Sequence, residues 1–440
     1  MTSTIVKAAD AAQFLAFVPR MLGYQPSRSL VMIPFHGSRS LGAMRFDLPE
    51  SAHDGEDAVD RIASTVIGMT CRLPEADAVA TIVYTDATFA GGGMPHHEIA
   101  AALERRADAC GLRMTDALWV AADGWGSYLD PACPDAGRPL AELGSTSSAL
   151  AGIPEPSGDQ ASGADLPHHD LAERERTGRA LAALNRAVGV LCGEDAASEA
   201  GVKSDTADHD GGDPIRAVGS DAGGSRNTRW AGRRGSASSA DLAPVPPPMS
   251  GEARSDASGP ADQERVDPHA LVAVCLLDDL PDLFEGALTW DVETLSAYET
   301  AALVWCLSRP SLRDIALVQW SGDFGEGDDA LDAQLRWESG EEYPADLAMR
   351  MWGEGERPDP ARLETALQLV RHVAALAPRL SRPGPLAMCA WLSWALGRST
   401  HAEAYATQAC EIEPEHGLSE IVLSFVHAGH LPDWAFRRTA

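Results

Sequence analysis

Lysine is nearly missing from this chain: of 35 basic residues only Lys7 and Lys203 are lysines, against 65 acidic residues. The formal charge is −30, spread as −7 over residues 1–150, −8 over 151–268 and −15 over 269–440. Every segment therefore repels a phosphate backbone, and nucleic acid is not expected as a partner. No apolar run approaches the roughly 18–20 residues of a membrane span, so no membrane partner is expected either. The opening MTSTIVKAADAAQFLAF lacks a basic stretch followed by an apolar core and a small-residue cleavage site, so it is not read as a signal peptide. Eight cysteines are scattered without a CxxC or any regular spacing. That pattern suits reduced, mostly buried thiols and a cytoplasmic location. There is no GxSxG elbow, no HExxH, no EF-hand loop and no P-loop lysine, so no motif announces an activity and no cofactor is implied.

What is present is enough apolar material for real cores, 45% of the residues, in a chain long enough for two or three domains. Residues 1–192 alternate strand and helix signals. Ala8–Phe17 reads as a short helix that Pro19 discourages from continuing. Leu30–Phe35 is a run of strand length, and Met44, Phe46 and Leu48 alternate with polar residues as a half-buried strand antiparallel to it. Val59, Ile62, Val66 and Met69 recur at helical spacing. AVATIVY at 78–84 and ALWVAA at 117–122 are buried strands, separated by a helix that carries Ile99, Leu103 and Ala107. Strand, helix, strand at this spacing implies a parallel pair. A helix over Leu171–Leu191 closes the segment.

Between Gly193 and Asp267 only eight of 75 residues are large and apolar. Such a stretch cannot offset chain entropy of roughly 1–2 kcal/mol per residue, and 193–268 is expected to be a disordered acidic linker. Residues 269–440 read as all helix. Asp291 is expected to cap a helix running to Ser308, Ser311 and Asp314 to cap the next, and Asp359-Pro360 to open another. Eight of the 11 tryptophans lie from residue 290 onward, as expected for helix–helix packing. The expected architecture is thus an α/β N-terminal domain, a mixed sheet with flanking helices, joined by a disordered linker to an all-α domain of helical hairpins.

Ligands in open α/β sheets bind beyond the carboxyl ends of parallel strands. Two strands here end in acids, at Asp86 and Asp123, with Trp125, Ser127 and Tyr128 just after the second. These five are either a ligand-binding rim for a small hydroxylated or cationic molecule, or turn and cap residues. The glycine-rich FAGGGMPHHE at 89–98 is either a phosphate cradle or a flexible connection. His96-His97 and His168-His169 each read as surface histidines, because adjacent helical side chains point about 100° apart and cannot share a metal without a third ligand. His427 and His430 do too, because no second pair is evident. In FVPRMLGYQPSRSLVMIPF at 17–35, Gly23 suits a turn needing positive φ and Pro26 stiffens the approach to the strand. Arg20 and Arg28 flank that turn and are expected to pair with the acidic surface.

Val18, Pro19, Leu22, Gly23, Tyr24, Pro26, Ser29, Leu30 and Val31 resemble the opening pattern of an actinobacterial family known as domain of unknown function 4192. Further matches are Arg45-x-Asp47-Leu48-Pro49, Tyr84-Thr85-Asp86, Trp125-x-Ser127-Tyr128, Cys133-Pro134-x-x-Gly137-x-Pro139 and Arg313-Asp314. In the family pattern Trp-x-Ser-Tyr is followed by a cysteine and then Cys-Cys-Pro. Here Leu129, Asp130 and Ala132-Cys133-Pro134 stand instead, which speaks against shared thiol chemistry or a metal site. The resemblance implies an organisation and no activity. Residues 386–414 also resemble one tetratricopeptide-type hairpin, with Ala390, Ala402 and Ala409 as its small residues and Gly397 at the turn. The function expected from all this is a non-catalytic binding or regulatory module. Its helical domain would take a basic or amphipathic protein partner. The alternative is an enzyme acting on a small polar metabolite at the Asp86 and Asp123 rim.

Overall fold

A computed structural model describes residues 8–49, 55–88, 94–134, 136–144, 153–192 and 266–437. Of the expected linker 193–268, residues 193–265 lie outside the described residues, as do the three glycines 91–93. Its end is corrected: Asp267 caps a helix that opens at Pro268. Six strands form one mixed sheet: β1 (Ser29–His36), β2 (Arg39–Ser40), β3 (Met44–Asp47), β4 (Ala78–Tyr84), β5 (Arg113–Val120) and β6 (Trp125–Ser127). Their order is β2-β1-β4-β5-β6, and β3 also pairs with β1. Only β4 and β5 run parallel; β1 is antiparallel to β2, β3 and β4, and β6 is antiparallel to β5.

The pleat sorts the side chains to two cores. Leu30 and Met32 of β1 face one way, joining Ala63, Val66 and Ile67 of α2 (Gly55–Cys71) and Ile99, Leu103 and Ala107 of α3 (His97–Ala109). Val31 and Ile33 face the other way, joining Leu15 and Val18 of α1 (Ala11–Leu22). All seven residues of β4 are buried, which is why AVATIVY carries no polar alternation: both of its faces are covered. Burying four large side chains of one strand at roughly 1.5–3 kcal/mol each is the order of stabilisation this layer contributes.

Pro19 does not end the first helix. It lies inside α1 and is buried, and the helix closes at Gly23 in the left-handed region, φ 84°. The missing N–H removes one hydrogen bond, but Val18 at 0% exposure anchors the last turn to the sheet and the Pro19 carbonyl accepts the Gly23 N–H at 2.9 Å. After α4 (Ala141–Gly144) and α5 (Leu171–Cys192) the rest is helical: α6 (Pro268–Leu276), α7 (Leu280–Ala287), α8 (Ala297–Leu307), α9 (Pro310–Ser321), α10 (Phe324–Glu338), α11 (Ala345–Met351), α12 (Pro360–Leu376), α13 (Pro383–Ala395), α14 (Ser399–Cys410) and α15 (Gly417–His427).

Two expected caps are corrected. Asp291 caps only a 3₁₀ turn, Val292–Thr294, and α8 opens instead on Ser296, whose hydroxyl and Glu299 form a reciprocal capping box. α9 starts at Pro310, one residue earlier than its expected cap, because proline's fixed φ suits the first turn. Asp314 turns to Arg313 at 2.8 Å instead. The tryptophans of this region do pack inside: Trp320, Trp391 and Trp394 are fully buried.

The described residues divide into two compact units. One falls within Met1–His168, Gly353–Leu367 and Leu386–Ala440, the other within His169–Trp352 and Gln368–Pro385. In the first unit Trp394 gathers Phe425, His430 and Trp434, and its indole N–H donates to the His430 carbonyl at 2.8 Å. Ala390, Ala402 and Ala409 are each fully buried, and Gly397 turns the chain at φ 78°. In the second unit Ala183 and Ala187 of α5 meet Ala270 of α6.

Candidate functional site

Parallel pairing brings the carboxyl ends of β4 and β5 side by side. The Thr85 N–H donates to the Val120 carbonyl at 2.9 Å, and the Ala122 N–H donates to the Ala87 carbonyl at 3.1 Å. The two following loops are therefore laced together. Asp86 is exposed in the first; Asp123 is exposed in the second, within the tight turn Ala121–Gly124 that leads into β6. The structure thus places the two expected acids on adjoining loops.

The other three expected residues point elsewhere. Trp125 is buried on the α1 side, its indole N–H donating to the Pro139 carbonyl at 3.2 Å, with the Arg138 guanidinium 5.5 Å from its ring. Ser127 donates to Asp116 Oδ1 at 2.7 Å and accepts the Leu129 N–H at 3.2 Å. Tyr128 packs on the opposite face, beside α2 and α3, and its hydroxyl donates to the Pro95 carbonyl. Burial, with Glu98 adding to it, pushes this phenol well above its ordinary value. Between them, Gly126 lies opposite Trp119 on β5; an added Cβ would sit 2.4 Å from the Trp119 ring.

The rim gains Thr85 and His96, and His96 corrects the surface expectation, being half-buried. Thr85 Oγ1 lies 3.2 Å from His96 Nε2. His96 precedes α3 with a left-handed backbone, φ 53° and ψ 31°, a conformation uncommon for a side chain of this size. Burial lowers the His96 pKa, against the pull of Glu98. A neutral imidazole, a hydroxyl and two exposed carboxylates can accept hydrogen bonds from a polyol or a cationic group. His96 was marked in the sequence only as half of a histidine pair in FAGGGMPHHE, and nothing in that string forecasts its backbone. Its neighbour His97 turns instead to Glu98 at 3.2 Å. His427 pairs with Glu403 at 3.4 Å while His430 lies against Trp394. His169 corrects the surface expectation: its ring meets that of His372 edge-on at 4.5 Å, because both sit where α5 begins against α12. Among the described residues, no group of three or more His, Cys, Asp or Glu could hold a metal ion. No helix among them is long and apolar enough to cross a membrane.

The opening stretch is a built connection. Arg20 donates to the Ile153 carbonyl at 2.8 Å and pairs with Glu155. Gln160 makes two 3.0 Å bonds to the Ser27 backbone. Arg45, its side chain only 8% exposed, grips both oxygens of Asp47 and donates to Ser29 Oγ at 2.8 Å and Thr400 Oγ1 at 3.0 Å. Ser29 faces Tyr84 and Asp47 across the sheet. Arg72 pairs with Asp433 at 2.5 Å. The Arg20 and Gln160 bonds tie the opening stretch to residues 153–160, and the Arg45–Thr400 and Arg72–Asp433 bonds reach the C-terminal segment of the first unit.

A family described as Domain of unknown function (DUF4192) matches the chain over residues 12–433. No curated protein and no solved structure matches it.

Proposed function

The chain belongs to the DUF4192 family, whose description carries no activity, and from that premise we propose that it is a non-catalytic binding or regulatory protein that docks a basic, amphipathic partner. One observation carries this reading. Along α10, Phe324, Asp328, Asp332 and Leu335 follow spacings of four, four and three, so they form one stripe. All four are exposed, Phe324 at 38% and Leu335 at 57%. Around them Asp323, Asp329, Glu338, Glu341, Glu342 and Asp346 are exposed too, while Arg336 is the one exposed base between residues 323 and 346. Apolar ends with carboxylates between them suit a helix that carries arginine or lysine beside leucine. A cytoplasmic location belongs to this proposal, although of the seven described thiols, expected to be mostly buried, only Cys306 and Cys389 are.

The experiment is a titration of a labelled arginine- and leucine-rich amphipathic peptide with the full chain. Binding is expected, weaker as salt rises, and about 10-fold weaker with Asp328→Arg and Asp332→Arg together. No binding, or equal binding by the charge-reversed chain, overturns the proposal. The second reading, a small polar metabolite turned over at the rim, is favoured by the left-handed His96 beside Thr85. A thermal-shift screen of hydroxylated metabolites tests it: the rise must vanish with Asp86→Asn and Asp123→Asn.

A further inference from the structure

The C-termini of α2 and α3 carry a pair of cysteines. Cys71 is the last residue of α2 and Cys110 caps α3. Both are exposed. They come together because the two helices pack side by side through Ile67 and Ala107 and return to neighbouring strands. Ala78 of β4 is registered with Arg113 of β5, and the Arg113 N–H donates to the Asp77 carbonyl at 3.1 Å. With both chain returns pinned, the two packed helix ends hold Cys71 and Cys110 as neighbours, close enough for Cys110 to bear on the Cys71 thiol.

We propose that Cys71 and Cys110 form a reversible disulfide, a redox modification site that staples α2 to α3. The oxidant is a low-molecular-weight disulfide. The Cys110 thiolate attacks one sulfur of that reagent, its S–S bond breaks, and one thiolate leaves. Cys71 then loses its proton, its sulfur attacks Cys110 Sγ, and the second reagent thiolate leaves. The protein loses two electrons and two protons, and the reagent is reduced to two thiols. Although Cys71 is exposed as a residue, partial desolvation of its sulfur and then the neighbouring Cys110 raise its pKa, so Cys71 is assigned the second, closing attack. The helix ends add to this, since their carbonyls disfavour a nearby thiolate. The closing step, which needs the Cys71 thiolate, is therefore slower at neutral pH than in mild alkali.

No metal reading competes among the described residues, since no third ligand joins the two sulfurs. The other described thiols do not form such a pair: Cys306 and Cys389 are buried, and Cys133, Cys275 and Cys410 lie on other elements.

The test treats the full-length chain with oxidised glutathione at mildly alkaline pH and maps the products. The expected protein is lighter by two hydrogens, with tryptic peptides 62–72 and 107–113 joined, and dithiothreitol restores the parent. Cys71→Ser is expected to stop at a glutathione adduct on Cys110, without the internal bond. The oxidised chain is expected to melt several degrees higher, because the bond closes a long loop in the unfolded state. Peptides that stay separate in the treated parent, or a bond that joins either cysteine to a different one, overturns the proposal. So does a treated parent that carries stable glutathione on both sulfurs.

Discussion

Gly126 is where a single methyl group should do the most damage near the rim. Its ideal Cβ would stand 2.4 Å from Trp119 Cζ2, 2.8 Å from Cε2 and 2.6 Å from Cys133 Sγ. Ordinary contact begins near 3.4 Å, so the Trp119 ring would have to retreat by about 1 Å. It has nowhere to go: Trp119 is 0% exposed and packed among Leu30, Val83 and Ala121. Overpacking of this kind costs about 1–3 kcal/mol, and two rigid neighbours put Gly126→Ala near the upper end. Gly68 supplies the opposite sign. It lies exposed in α2, with nothing within 4 Å of an added Cβ, so Gly68→Ala should stabilise by about 0.5–1 kcal/mol. The assay is a urea melt followed by far-UV circular dichroism, read as midpoints at constant slope. A third chain sharpens it. In a Trp119→Leu background the added methyl meets a smaller neighbour, so Gly126→Ala should cost at least 1 kcal/mol less there. A Gly126→Ala melt within about 0.5 kcal/mol of the parent would refute the reasoning, and so would an equal cost in both backgrounds.

Arg45→Lys keeps the charge but loses the two-pronged grip on Asp47 and the bonds to Ser29 and Thr400; a loss of about 2 kcal/mol is expected in the same melt, against about 1 kcal/mol for Thr400→Val. His372 titrates below its ordinary 6.5, first because it is buried and next because His169 faces it, with Glu293 and Glu173 pulling the other way. Between 6.5 and the lower folded value the unfolded chain holds a proton that the folded chain does not. Stability should therefore fall as pH drops below about 6.5 and be flat just above it, and His372→Gln should shallow that slope in melts between pH 7 and pH 5. Ala402 is fully buried where α14 packs, whereas Ala404 is partly exposed. Ala402→Leu should lower the melting temperature of the full chain and Ala404→Leu should leave it nearly unchanged; equal tolerance would remove the close-packed hairpin.

Much of the sheet could be read because its signals are local. A seven-residue apolar run such as AVATIVY has few uses other than a strand covered on both faces, and the stripe Ile99, Leu103, Ala107 fixes which side of α3 meets it. The misreadings came where one local signal competed with a stronger distant one. Proline discourages a helix, yet Val18 and Pro19 are held by the sheet and Gly23 is free to take the left-handed cap. Asp291 and Ser296 both make sound caps; only the reciprocal Glu299 bond selects the second for α8. The rim was legible in part. Strand ends located Asp86 and Asp123, since a parallel pair must finish together. Side-chain direction could have been read, since Trp125 and Tyr128 are an odd number of residues apart and strand alternation sends them to opposite faces, but grouping them by sequence proximity overlooked it. The role of His96 could not be read, since its contact with Thr85 depends on a backbone conformation that no neighbouring residue type dictates.

The motif residues themselves carry a consequence for where function lies. Gly23 closes a helix, Ser29 and Asp47 satisfy a buried arginine, Gly126 makes room for a tryptophan, Ser127 satisfies Asp116, and Arg313 satisfies Asp314. Each is spent on an internal bond or a close approach, where leaving one partner unsatisfied costs about 1–3 kcal/mol. Substituting any of them changes stability first, so a lost phenotype at these positions would report unfolding as readily as a lost contact. The α10 stripe is the reverse case. Asp328 and Asp332 are exposed, their replacement leaves no buried group unpaired, and surface substitutions of this kind fall within about 0.5 kcal/mol. A charge reversal there that abolishes binding while the melt stays unchanged would separate function from folding in a way that no motif residue of the sheet allows.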